Sequence, residues 1–263
     1  MPDGGSAIST VGFVAVGRMG LPMANHAAAK GFDVVAFDPG VADGDFTMTA
    51  SPRDLAAKAD IAIVSVPTDD DVQAAITGDD GLLAGAGAGF LIAVSSSVHP
   101  DTMHALEGPC REAGVGLIDA PVTGGIRGAV AGELTVLAGG DEADIERARP
   151  VFDSYAAHVH RMGGVGTGQI GKMVNNMMLW ANYMAAGQAL QYAEAAGLDA
   201  EHVRGVMNDC TGKSWALEQF PDVRPIWPGK DMAAIAVMLK DMGLSLPLIE
   251  HVAANAKSIS IEN

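Results

Sequence analysis

From Ser9 to about Val165, short apolar runs alternate with Ala-rich or polar stretches of helical length. The runs are Val11–Val16, Asp33–Phe37, Ile61–Val66, Phe90–Val94, Gly116–Ile118, Leu134–Ala138 and His158–Arg161. Between them, helices are predicted over Leu21–Lys30, Pro52–Ala57, Asp70–Ile76, Pro100–Ala113 and Glu142–Phe152. Strands alternating with helices of this length predict βαβ units and a mainly parallel sheet. Right-handed crossovers then place helices on both faces of that sheet.

From Gly168 the strand signal stops. Gln169–Ala196 reads as one long helix, apolar on nearly every side through Ile170, Met173, Val174, Met178, Trp180, Tyr183 and Leu190. A helix apolar all round is buried in a larger assembly, which predicts a homodimer or homotetramer. Gly197 follows as its C-cap. Further helices are predicted over Asp199–Asn208 and Asp231–Met242, with a Pro-rich connection over Phe220–Gly229. The boundary between the two styles predicts domains over residues 1–165 and 166–263. The fold class is α/β: a doubly wound N-terminal domain, a long interdomain helix and a small all-α domain. The first nine residues are expected to be mobile.

Composition narrows the partners. Hydrophobic residues make up 49% of the 263 and charged residues 18%, enough apolar content for a sizeable core and too much for a disordered chain. Sixteen basic residues against 32 acidic ones leave a net charge of −16. Phosphate-backbone binding needs a basic face, so that balance argues against nucleic acid and against an anionic membrane surface. No uninterrupted apolar run reaches the ~18 residues that a membrane-spanning helix needs. Met1–Thr10 holds no Lys or Arg, so the basic start of a signal peptide is missing, and the reading is a soluble, cytoplasmic protein. Cys110 and Cys210 read as two buried small hydrophobes, and no Cys/His cluster predicts a metal.

Three segments carry candidate chemistry. The first is Val11–Gly20, strand into loop into helix, with the pattern Ala15-x-Gly17-x-x-Gly20. Gly17 lets backbone approach a pyrophosphate, Gly20 lets the helix pack on the strand, and the helix N-terminus supplies free N–H groups. Ala15 stands where the pattern has its first glycine, and a methyl there restricts the turn. Asp38 ends the next strand 18 residues past Gly20, the spacing of an acid on the adenosine ribose hydroxyls. Its charge would repel a 2′-phosphate, so NAD is favoured over NADP.

The second segment is Asp119–Gly125, where Thr123, Gly124 and Gly125 can present backbone N–H groups and a hydroxyl to a carboxylate. Alone it could equally be a Gly-rich turn. The third is Gly164–Asn176, in which Lys172 and Asn176 lie one helical turn apart on one face. A lysine on an otherwise apolar helix is costly unless it is paired or functional. Partial burial lowers a lysine's pKa toward general acid–base use. A snorkelling Lys172 and a capping Asn176 fit the same letters.

Taken together, GFVAVGRMGLPMA, SVPTDDDV, SSSVHP, DAPVTGG, GVGTGQIGKMVNN and KDMAAIAVMLKDMGLSLPL resemble the β-hydroxyacid dehydrogenase family, in family order and at family-like distances. This is the group of 3-hydroxyisobutyrate dehydrogenase and tartronate semialdehyde reductase. The resemblance runs from Val11 to Leu248 and implies a Rossmann-type first domain. It implies that Lys172 is the catalytic lysine and Asn176 the asparagine that holds substrate. It further implies that Thr123, Gly124 and Gly125 are the carboxylate clamp, with Thr123 in place of the usual serine. By the same resemblance Gly17, Arg18, Met19, Asp38, Val66, Pro67, Asp71 and Ser97 face the cofactor. Lys230 is matched to the lysine of the family's Lys-Asp pair. Lys240-Asp241 has the same letters but is set aside on its spacing to Gly243 and Pro247.

The departures are Ala15, Thr123, a segment before Lys230 that looks shortened and lacks the family's Phe-containing strip, and an end only 16 residues after Pro247. The activity implied is reversible NAD(P)-dependent oxidation of the β-hydroxyl of a small 3-hydroxy acid, 3-hydroxyisobutyrate-like. Reduction of tartronate semialdehyde or a related semialdehyde is the alternative within the family. A catalytically silent dinucleotide-binding protein and a C=N reductase are alternatives outside it. The cations Arg18, Lys172, Lys230 and Arg127 would have to reverse the overall negative field for an anionic substrate.

Overall fold

The computed structural model describes residues 7–41, 46–220 and 227–256. The chain forms two compact units that part between Lys172 and Met173. The first opens with β1 (Thr10–Val14), α1 (Gly20–Ala29), β2 (Asp33–Phe37), β3 (Thr47–Met48), α2 (Pro52–Ala56) and β4 (Ile61–Val64). It continues through α3 (Asp69–Thr77), α4 (Leu82–Gly85), β5 (Leu91–Val94), α5 (Pro100–Glu112) and β6 (Gly116–Asp119). Next come β7 (Val122–Thr123), α6 (Gly125–Ala131), β8 (Leu134–Gly139), α7 (Glu142–Tyr155) and β9 (Ala156–Gly163). Helix α8 (Thr167–Ala195) begins in the first unit and runs into the second.

The sheet has the strand order β3-β2-β1-β4-β5-β6-β8-β7, with β9 beside β8. Strands β3 to β6 pair parallel, which agrees with the alternating pattern in the sequence. Strand β8 departs from it, pairing antiparallel with β6 and β7. The seven-residue α6 is too short to carry the chain back for another parallel crossover, so β8 enters from the opposite end. Strands β4 and β5 are buried at every position, as central parallel strands covered on both faces must be.

Two apolar layers cover those faces. On one, Val11, Phe13, Ile63 and Leu91 meet Met23 and Ala27 of α1 and Ile145 and Phe152 of α7. On the other, Val14, Val64 and Ile92 meet Leu55 of α2, Ile76 of α3 and Met103 and Leu106 of α5. The doubly wound expectation therefore holds. Helix α3 starts at a capping box, in which Thr68 Oγ1 accepts from the Asp71 N–H while the Asp71 carboxylate accepts from the Thr68 N–H.

The second unit holds the rest of α8 with α9 (Ala200–Met207), α10 (Trp215–Gln219), α11 (Pro228–Asp241) and α12 (Pro247–Ala254). Its core sets Met173, Trp180 and Tyr183 of α8 against Met232, Ile235 and Leu239 of α11 and Val252 of α12. Helix α8 is not buried on every side within the chain. Ile170, Val174 and Met178, spaced four apart, are 49%, 51% and 63% exposed. Met173 lies in the core, and Met178 lies outside it.

Among the short elements, β3, β7, α4, α6, α10 and α12 go beyond the sequence prediction. Two-residue strands carry no periodicity, and the glycines of α6 hide its helical pattern. Residues 1–6 of the segment expected to be mobile lie outside the described residues, as do residues 221–226 of the Pro-rich connection. Cys110 is buried, and that burial pushes its thiol up to about 11. Cys210 is exposed, contrary to its reading as a buried hydrophobe.

Candidate active site

Parallel register lines up the carboxyl ends of five strands. Phe37 pairs with Val14, Val14 with Val64, Val64 with Val94, and Val94 with Asp119. The loops that follow these residues leave the sheet from one edge. Strand order reverses between β1 and β4, and the crevice at such a switch point is where open α/β sheets bind their ligands. Gly17, Arg18 and Met19 follow β1 there, and Val66 and Pro67 follow β4.

The β1–α1 turn is tight. Ala15 has φ 72°, the only left-handed non-glycine among the described residues. Its N–H donates to the Phe37 carbonyl at 2.7 Å. A Cβ on Gly20 would stand 2.1 Å from the Ala15 carbonyl oxygen, so only glycine lets α1 start that close to the strand. A Cβ on Gly17 would meet nothing within 4 Å. That open space lies at the start of α1, whose first turn holds no acidic residue. A pyrophosphate fits these features: open backbone at a helix N-terminus and no acidic residue in that helix's first turn.

Asp38 is fixed beside this turn. Its Oδ2 accepts from the Val16 N–H at 2.9 Å and its Oδ1 from the Gly40 N–H at 2.8 Å. A carboxylate has about four acceptor positions, so two remain for ribose hydroxyls. Across the crevice, Ser96 Oγ donates to the Val66 carbonyl at 2.8 Å. The carboxylate of Asp71 closes the α3 capping box by accepting from Thr68. Asp69, the first residue of α3, bonds to a second helix. Its Oδ2 accepts from the His99 N–H at 2.8 Å and from Thr102 Oγ1 at 2.6 Å, tying α3 to α5.

The end of β6 carries the other cluster. Gly124 and Gly125 have φ 110° and 61°, conformations that favour glycine, and Gly124 caps α6. Lys172 Nζ donates to the Val122 carbonyl at 2.8 Å, on the short strand that leads into Gly124 and Gly125. Asp119 is fully buried. Its Oδ1 accepts from the Gly166 N–H at 2.7 Å and its Oδ2 from the Gln169 N–H at 2.9 Å. Burial pushes the Asp119 carboxyl above the usual carboxylate range, against the pull of the Gly166, Gln169 and Gly168 N–H groups and its own. A Cβ on Gly168 would fall 2.3 Å from the Leu137 carbonyl oxygen, so the entry to α8 also depends on a glycine.

Gln169 is fully buried too. Its Oε1 accepts from the Val98 N–H at 3.1 Å, and its Nε2 donates to the Ser96 carbonyl at 2.8 Å. Ser97 lies between those two residues. Asp119, Gln169 and Asp69 were not among the site residues read from the sequence. For Asp119 a signal was available: a carboxylate closing an otherwise apolar run. Gln169 has no such local signal.

In the second unit, Asn176 stands one turn beyond Lys172 on α8 and is 1% exposed. Its Oδ1 accepts from Asn175 Nδ2 at 3.1 Å, while its Nδ2 is buried without a hydrogen-bond partner. A buried orphan amide of this kind fits a group reserved for a ligand. Lys230 is exposed in the first turn of α11, and Lys240 is exposed in its last turn. Trp180 Nε1 donates to Asp231 Oδ2 at 3.0 Å.

A crevice at the switch point of a doubly wound parallel sheet, opening on a glycine-bearing β1–α1 turn, is the architecture of a dinucleotide-binding domain. Two family models match in succession. The NAD binding domain of 6-phosphogluconate dehydrogenase covers residues 10–166, and the NAD-binding domain of NADP-dependent 3-hydroxyisobutyrate dehydrogenase covers residues 166–261. The chain is 32% identical over 252 residues to NAD-dependent L-serine dehydrogenase of Pseudomonas aeruginosa, covering 89% of this chain and 83% of that one. It is 32% identical over 261 residues to 3-hydroxyisobutyrate dehydrogenase of the same organism, covering 94% and 88%. The solved structure of Mycobacterium tuberculosis 3-hydroxyisobutyrate dehydrogenase with L-serine shares 30% identity, with a TM-score of 0.86 over 95% of this chain and 93% of that one. The chain belongs to the β-hydroxyacid dehydrogenase family, whose members are NAD- or NADP-dependent hydroxyacid dehydrogenases.

Proposed function

We propose that this protein reversibly oxidises the β-hydroxyl of a small 3-hydroxy acid to the semialdehyde, with NAD preferred. The observation that carries the reading is the 2.8 Å bond from Lys172 Nζ to the Val122 carbonyl, two residues before the left-handed pair Gly124 and Gly125. The N–H groups at Gly124 and Gly125 and the hydroxyl of Thr123 take the substrate carboxylate. The β-hydroxyl then falls toward Lys172, whose neutral amine takes its proton. The bound nicotinamide supplies the hydride acceptor. In reverse, the Lys172 ammonium returns that proton to the aldehyde oxygen. Asn176 uses its unpartnered Nδ2 to hold the substrate. Acid–base help of this sort is worth roughly 10²–10⁴-fold in rate.

The substrates named for two relatives, 3-hydroxyisobutyrate and L-serine, share one skeleton: a carboxylate, one intervening carbon and a hydroxyl-bearing carbon. That skeleton fits a clamp and a base held side by side. Asp38, Val66, Pro67, Asp71 and Ser97 are assigned to the cofactor with Gly17, Arg18 and Met19, and Lys230 is assigned to it from α11. The fixed negative charge of Asp38 supports NAD over NADP. The exposed row Ile170, Val174 and Met178 supports a homodimer or homotetramer, which light scattering tests; a monomer refutes it.

The deciding experiment is nicotinamide reduction across 3-hydroxyisobutyrate, glycerate, 3-hydroxypropionate and serine, each with NAD and NADP. Turnover of one acid with the higher kcat/KM on NAD is expected. Silence with NAD still bound would favour a dinucleotide-binding protein without catalysis. A higher kcat/KM on NADP would refute the role given to Asp38.

A further inference from the structure

We infer that Gln169 is a positioning residue that locks the Ser97 loop to the helix bearing Lys172. The inference rests on the reading above and deepens it. The side-chain amide of Gln169 holds both neighbours of Ser97, accepting from the Val98 N–H and donating to the Ser96 carbonyl. Those partners are 71 and 73 residues away in sequence, so no local structure sets this geometry. The backbone N–H of Gln169 donates separately to Asp119, at the start of the segment that becomes the carboxylate clamp. Lys172 follows Gln169 by three residues, on the next turn of α8.

One buried residue therefore joins three parts of the site: the loop assigned to the nicotinamide side, the strand end leading to the clamp, and the helix of the base. The side chain touches no reacting atom. Its effect is on the distance between the base and the nicotinamide side, and transfer chemistry is steep in that distance.

Gln169→Leu keeps the volume and the backbone bond to Asp119 and removes only the amide clamp. Two readouts separate the outcomes. In the protein without cofactor, amide exchange at Val98 and its neighbours is expected to accelerate at least about tenfold, because a buried N–H has lost its acceptor. In turnover, kcat is expected to fall about 10–100-fold, the size of loss a displacement near 1 Å causes. The KM for the acid and the dissociation constant for NAD stay close to wild type, since uniform binding is not what the clamp supplies. The isotope effect with deuterium on the substrate β-carbon rises as the chemical step becomes limiting.

Gln169→Glu is the conservative rescue. Its protonated carboxyl can donate to the Ser96 carbonyl and accept from the Val98 N–H, as the amide does. Activity relative to wild type is expected to be high at low pH and to fall as pH rises through the raised pKa of a buried acid. Unchanged exchange at Val98 in Gln169→Leu overturns the inference. So does faster exchange with wild-type kcat. If the wild-type protein turns over none of the acids, the proposed function fails, and the exchange result still decides whether Gln169 holds the loop.

Discussion

Ala15 offers a direct test of how the dinucleotide turn is built. It stands at φ 72° where the fingerprint places glycine. An L-residue in the left-handed region costs roughly 1–2 kcal/mol relative to the right-handed one. Replacing it with glycine removes that cost but widens the unfolded ensemble, which takes back about 0.4–1 kcal/mol. The Ala15 N–H bond to Phe37 and the close approach of Gly20 are backbone features and survive the change. Ala15→Gly should therefore be stabilising by about 0–1.5 kcal/mol. At roughly 2–4 °C per kcal/mol for a chain of this size, Tm should rise by a few degrees at most. Calorimetric melting at pH 7 without cofactor measures this, and NAD affinity by titration should change little. A measurable fall in Tm would refute the reasoning, because it would mean that the Ala15 methyl contributes more than its backbone strain costs.

Gly20→Ala should give soluble protein that has lost NAD binding, since its Cβ would stand 2.1 Å from a backbone oxygen and the turn must open; wild-type affinity by calorimetry would contradict this. Asp60 governs acid stability at the start of β1. Burial raises its carboxyl, but the N–H groups of Thr10 and Ser9 and the Ser9 hydroxyl outweigh that and hold it below its ordinary value. Its contribution is therefore present above the unfolded pKa of about 3.9 and is lost as pH falls through the lower folded value. Asp60→Asn should melt below wild type at pH 7, with the gap closing toward pH 3; a gap constant with pH would rule the assignment out. For the lysines of α11, Lys230→Ala should raise the KM for NAD while Lys240→Ala leaves it near wild type. The opposite result would transfer the role to Lys240.

What could be read from the chain follows the range of each signal. Strand β1, the glycines of its turn and Asp38 lie within about 30 residues and are set by spacing, so they were legible. Lys172 was singled out by a local signal too, because a lysine on an apolar helix is an anomaly. Asp119 and Gln169 act through partners 47 to 73 residues distant, and no periodicity reports such a meeting. The antiparallel entry of β8 was hidden for the same reason: strand direction is decided by the length of the connection through α6. The all-round apolar character of α8 was read correctly from its letters, yet within one chain Ile170, Val174 and Met178 face outward.

The anchoring of Asp119 bears on how this protein can be cut. Apart from its own amide, every backbone donor acting on that carboxylate comes from Gly166, Gly168 and Gln169. The first family model ends at residue 166, which would make that the natural place to truncate a dinucleotide-binding fragment. A fragment ending there would keep every strand of the sheet but leave an acid in the interior with two of its four backbone donors, those of Gly168 and Gln169, removed. It would also leave the Val98 N–H and Ser96 carbonyl without the amide that joins them. The smallest self-sufficient piece of the first unit must therefore carry the opening turns of α8, through Lys172, as part of its own interior.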